Sequence, residues 1–139
     1  MIPIYQPKLA GNEKHYVAEC LNETWISSKG KFVGRFEEEF AAYLGVGYAS
    51  AVNNGTSALH LALHTLGIGQ GDEVIVPTLT YVASVNSITY VGATSVFVDS
   101  EPKTWNIDVS LIEQKITTRT KAIMAMHLYG AVCDMSELQ

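Results

Sequence analysis

From Tyr48 onward the chain changes rhythm, and that rhythm restricts its fold more than any other feature. Short, largely apolar runs at 48–52, 73–76, 94–98 and 121–126 alternate with helical stretches at 56–66, 82–91 and 110–116. A strand, a helix and a further strand in sequence require a crossover, and crossovers give a parallel sheet. The expected fold class is therefore α/β, a mainly parallel sheet with helices on both faces. Composition agrees: 47% of residues are hydrophobic and 17% charged, against about 25% charged in an average domain. Such a chain suits strands covered on both sides.

The first fifty residues read differently. Residues 1–10 form an extended arm, since Pro3 and Pro7 oppose a helix. A helix over 12–23 carries Tyr16, Val17, Cys20 and Leu21 on one face. A second, over 32–44, carries a stripe of Phe32, Phe36, Phe40, Tyr43 and Leu44, with Glu37, Glu38 and Glu39 on the opposite, solvated face. Gly45 and Gly47 end it. Residues 25–31 are a loop between the two. Further on, Ser110-Leu111-Ile112-Glu113 fits a capping box for a helix running to Ile116.

Charge and cysteine usage narrow the function classes. Nine basic and 14 acidic residues give a formal net charge of -5. The basic residues are scattered, apart from Lys29, Lys31 and Arg35, so no nucleic-acid partner is expected. Cys20 and Cys133 are far apart and form no CxxC pair, which opposes a disulfide framework or a zinc ribbon. His60 and His64 have the i, i+4 spacing of metal ligands but lack a third partner, so no metal is expected. No stretch approaches the ~20 apolar residues of a membrane span, and the start lacks a signal peptide's apolar core. A soluble, cytoplasmic protein is expected.

In open parallel sheets, ligands bind outside the carboxyl ends of the strands. Three segments are expected there: Asn53–Ser57, Pro77–Tyr81 and His127–Gly130. In the first, Gly55 allows close approach to the backbone. Thr56 and Ser57 add hydroxyls and helix-start N–H groups that hold a phosphate without a cation. The same residues also suit an ordinary strand-to-helix turn. The stretch is neither a GxGxxG fingerprint nor a Walker A motif, so neither a nicotinamide nor an ATP site is indicated. Tyr81 offers a flat face to a planar ring, or packs beside the sheet. His127 contacts a ligand, moves a proton, or packs against its loop.

Four segments carry a family resemblance: GNEKHYVAECLNETWISSKGKFV, NNGTSALHLALHTLGIGQGDEVIVPTLTYVASVN, GATSVFVDSEPKTWNID and TKAIMAMHLYG. Together they resemble the DegT/DnrJ/EryC1/StrS family of sugar aminotransferases, which depend on pyridoxal phosphate. The resemblance implies the large domain of the fold-type-I aminotransferase architecture, with residues 1–139 as its N-terminal part. It implies that Gly55, Thr56 and the Ser57 backbone hold the cofactor phosphate and that Tyr81 stacks on the pyridine ring. It also places Trp25, Ser27, Lys29 and His127 near a sugar-nucleotide cleft. The implied reaction moves an amino group from glutamate to a nucleotide-linked 4-keto-6-deoxy sugar, in a homodimer.

The family's Schiff-base lysine and pyridine-pairing aspartate have no matching position up to Gln139. No catalytic residue is therefore assigned within the chain, and residues 1–139 are expected to be inactive alone. Two further readings stand beside this one. Some relatives carry histidine in place of the lysine and dehydrate the sugar at C3. A non-catalytic α/β phosphate-binding module also fits the residues.

Overall fold

The computed structural model describes residues 2–3 and 6–139. The expected arm falls partly on Met1, Ile4 and Tyr5, which lie outside the described residues; the rest of that stretch is irregular. The chain forms two compact units, Met1–Ala51 and Val52–Gln139.

The first unit holds α1 (Glu13–Asn22) and α2 (Lys31–Leu44), within a residue or so of expectation. Gly45 ends α2 with a left-handed backbone (φ 69°), a conformation that costs glycine nothing. The Tyr16 and Phe32 rings meet at 5.0 Å, and Lys31 Nζ donates to Glu23 Oε1 at 2.9 Å and to Glu19. Glu37 departs from the expected solvated face. It is half-buried, and its carboxylate accepts the Ala51 N–H at 2.7 Å.

The second unit contains α3 (Gly55–Thr65), β1 (Glu73–Pro77), α4 (Val82–Tyr90), β2 (Thr94–Val98), β3 (Thr120–Ile123) and α5 (Met135–Leu138). The sheet runs β2-β1-β3, with both pairings parallel. A bulge between Glu73 and Val74 shifts the register against β3. Strand β1 lies at the centre and is buried along its whole length. Its side chains alternate between two cores, as the period of two requires. Val74 and Val76 join Leu63, Ile68 and Ile88 beneath α3 and α4. Ile75 points the other way, to Val98, Ile107, Ile112 and Cys133. Each such side chain contributes about 1.5–3 kcal/mol through burial.

Three expectations need correction. Residues 48–52 are not a strand, so the sheet has three strands among the described residues rather than four. The Ala51 amide bonds to a carboxylate instead of a neighbouring strand. Strand β3 is shorter than 121–126, although the Met124 N–H still donates to Ile75 O at 2.8 Å. Residues 110–116 form two short 3₁₀ turns, Val109–Leu111 and Glu113–Lys115, instead of one helix. The cap is Asp108, whose Oδ1 takes both the Ser110 N–H at 3.0 Å and the Ser110 hydroxyl at 2.6 Å. With its hydroxyl so engaged, Ser110 caps nothing itself.

Candidate active site

The two ends of the sheet differ in chemistry. At the amino end of β1, the buried Glu73 carboxylate accepts hydrogen bonds from the Thr117 hydroxyl and the Arg119 guanidinium. Thr117 first, then Arg119, hold its pKa below the ordinary carboxylate value. This end is closed and its charge is matched.

The carboxyl end is open. The Thr78 N–H donates to Val98 O at 2.9 Å and its hydroxyl to Asp99 Oδ1 at 3.2 Å. These bonds tie the segment leaving β1 to the end of β2. Tyr81 follows as the extended N-cap of α4, with its side chain 70% exposed. A cavity of about 450 Å³ lies beside this turn, lined by Thr78, Leu79, Asp99, Ser100, Glu101 and Trp105. Hydrogen bonds from Thr104, and then from the Lys103 backbone, lower the Glu101 pKa, so it carries charge there.

The start of α3 is set by Asn54. Its backbone is extended (φ −166°, ψ 169°), and its side-chain oxygen accepts the Ser57 N–H at 2.9 Å. Asparagine is among the best residues for this role. The sequence marks Asn54 only as part of a strand-to-helix turn and sets the helix start at residue 56, one residue later than observed. The N–H groups of Gly55 and Thr56 donate to no partner among the described residues. A Cβ built on Gly55 would meet nothing within 4 Å. An open helix start with two free amides, flanked by the half-buried Thr56 and Ser57, fits a phosphate group. The Ser57 amide is already engaged by Asn54.

His127 lies beyond the carboxyl end of β3 and is exposed. Its Nδ1 accepts the Cys133 N–H at 3.2 Å. Thus Pro77–Tyr81 and His127–Gly130 both lie at the carboxyl end of the sheet, following the adjacent parallel strands β1 and β3. Asn53–Ser57 follows no strand; it opens α3, which packs with α4 over one core. Trp25, Ser27 and Lys29 belong to the first unit. There Trp25 is exposed and its N–H donates to Cys20 O at 3.0 Å, while Ser27 Oγ accepts the Lys29 N–H at 3.3 Å. His60 and His64 are both exposed on α3, and His60 meets the Tyr90 ring at 5.7 Å.

Asn106 escaped the sequence reading. It is buried, and its carboxamide bridges the turn after His127: Oδ1 accepts the Leu128 N–H at 3.1 Å, and Nδ2 donates to Ala131 O at 3.0 Å. A polar side chain inside an apolar segment, between Trp105 and Ile107, was the available signal.

Known proteins match this chain along most of its length. It is 64% identical over 137 residues to the GDP-perosamine synthase of Escherichia coli O157:H7, covering 99% of this chain and 38% of that protein. It is 59% identical over 137 residues to the GDP-perosamine synthase of Caulobacter vibrioides, covering 99% and 37%. These relatives agree with the narrower sequence resemblance, which within the family points to GDP-perosamine synthases. Among solved structures, NtdA of Bacillus subtilis with bound cofactor PMP superposes with a TM-score of 0.85 at 34% identity, covering 94% of this chain and 31% of that one. 3-Amino-5-hydroxybenzoic acid synthase superposes with a TM-score of 0.87 at 40% identity, covering 95% and 35%. The α/β architecture is therefore that of an aminotransferase large domain, and this chain spans little more than a third of the curated relatives it matches. Residues 7–139 match the DegT/DnrJ/EryC1/StrS aminotransferase family model, and the chain belongs to that family.

Proposed function

We propose that this chain supplies the cofactor-phosphate and ring-stacking part of a pyridoxal-phosphate enzyme. That enzyme transfers an amino group from glutamate to a GDP-linked 4-keto-6-deoxy sugar. The observation that carries this reading is the 64% identity to a GDP-perosamine synthase, joined to a helix start with free amides. The cofactor supplies an electron sink for the transfer. Gly55 and Thr56 hold its phosphate through their amides, and the Thr56 and Ser57 hydroxyls add further donors. Tyr81 covers one face of its ring. Trp25, Ser27, Lys29 and His127 contact the sugar nucleotide. The enzyme acts as a cytoplasmic homodimer, and its product feeds O-antigen or another surface polysaccharide. No helix of the described residues is long and apolar enough to cross a membrane, which accords with that setting. The exposed Phe36, Tyr43 and Leu44 of α2 offer apolar surface for a second copy.

Two measurements on the full-length protein test this. Mixed with glutamate and a GDP-linked 4-keto-6-deoxy sugar, it forms the 4-amino sugar; failure with that substrate rejects the substrate assignment. The double variant Thr56→Ala, Tyr81→Ala binds pyridoxal phosphate at least roughly tenfold more weakly by equilibrium titration. An unchanged affinity removes both residues from the site.

A further inference from the structure

His127 has two ring nitrogens, and the structure commits one of them. The Cys133 N–H points at Nδ1 from 3.2 Å. A donor facing Nδ1 requires a lone pair there, so the neutral ring carries its proton on Nε2. In this arrangement the exposed nitrogen is a donor. To act as a base, Nε2 would need the lone pair, and Nδ1–H would then face the Cys133 N–H, donor against donor.

What fixes the ring in that relation is the turn between the two residues. Residues 127–131 form two overlapping tight turns, with Gly130 N–H donating to His127 O at 3.3 Å and Ala131 N–H to Leu128 O at 2.9 Å, kinked at Tyr129, whose backbone is left-handed (φ 49°). A non-glycine residue rarely adopts that backbone without support. Asn106, only 4% exposed, provides the support from inside by bonding to both ends of the turn, at Leu128 and Ala131. Cys133 is anchored in the same way, its Sγ donating to Met126 O at 3.0 Å.

We infer that Asn106 is a positioning residue that locks the His127–Cys133 turn and so makes His127 Nε2–H a fixed hydrogen-bond donor toward an acceptor oxygen of the bound sugar nucleotide or cofactor. This rests on the proposed function only for the identity of the oxygen. The tautomer and its dependence on Asn106 stand on the fold.

Nitrogen NMR of the full-length protein labelled at histidine reads the tautomer directly, at about pH 8, above the ordinary histidine range. His127→Gln assigns the resonance by its disappearance. The wild-type protein shows protonated Nε2 and unprotonated Nδ1 at His127, and Asn106→Ala shifts the ring toward a mixture of tautomers. Nδ1-protonated His127 in the wild type overturns the inference, as does an unaltered tautomer in Asn106→Ala. Should Asn106→Ala fail to fold, Asn106→Asp serves. It keeps the acceptor for Leu128 and sets an oxygen against Ala131 O. Kinetics give a second readout. His127→Ala lowers kcat/KM roughly tenfold, and His127→Gln, which retains a side-chain donor, recovers part of that loss. Equal losses in both variants, with the acid limb of the pH profile removed, identify a base and overturn the donor role. A wild-type protein without aminotransferase activity but with the Nε2–H tautomer rejects the proposed function and leaves this inference intact.

Discussion

The two compact units invest their apolar residues in different ways. In the second, Val74, Ile75, Val76 and Ile88 are completely buried. In the first, Ala41 is the one buried hydrophobic residue among those described, while Phe36, Phe40, Tyr43 and Leu44 remain substantially exposed. The sharpest amphipathic pattern in the sequence lies on α2, in the first unit, and not on the helices that cover the core of the second. A pattern shows which face is apolar; only packing shows whether that face is covered. The second unit closes its own core, and the first displays an apolar face that it does not itself cover.

Substitution in the buried strand gives the largest effect that tests this contrast. Ile75→Ala removes a fully buried side chain from β1 and costs about 2–5 kcal/mol, read by chemical denaturation. Phe40→Ala on α2 costs less than about 1 kcal/mol in the same assay. Equal losses would break the comparison and show the α2 face to be covered.

Acid titration comes next. The folded-state pKa of Glu73 is lowered by Thr117 and then Arg119. Its contribution to stability is thus fully present above the unfolded carboxyl value of about 4.3 and is lost as pH falls through the lower folded value. Wild type exceeds Glu73→Gln in stability at neutral pH, and the gap closes on acidification below that value. A gap that persists in strong acid would remove the carboxylate from the account.

The smallest effect belongs to the first unit. Lys31 pairs with Glu19 and Glu23 across exposed surface, where solvent and salt screen the attraction. Lys31→Ala shifts the denaturation midpoint slightly at low salt and not measurably in concentrated salt. A salt-resistant loss would mark that pair as structural.

Helices α1 to α4 and strands β1 and β2 were legible because each is specified by local periodicity and by punctuation such as Gly45 and Pro77. Residues 48–52 are largely apolar but hold one β-branched residue, Val52, against three each in β1 and β2, and strand formation also depends on a hydrogen-bonding neighbour, which composition does not report. The helix expected after Ser110 is replaced by two 3₁₀ turns, and the cap is Asp108 instead of Ser110. Within the site, the open helix start at 55–57 could be read from glycine and hydroxyl residues in series. The Asn106 bridge could not, because its partners lie 22 and 25 residues away and no short-range pattern announces them.

The Asn54 carboxamide oxygen occupies, on the Ser57 amide, a place that an incoming anion's oxygen would claim. It behaves as a built-in surrogate, keeping the ligand-free helix from fraying at about the free energy of an ordinary cap, ~1 kcal/mol. An anion that recruits this third amide must first evict the surrogate, so part of its grip is spent on displacement. At the proposed phosphate site, the free Gly55 and Thr56 amides need no such exchange, and only an anion that also takes the Ser57 amide trades one acceptor for another.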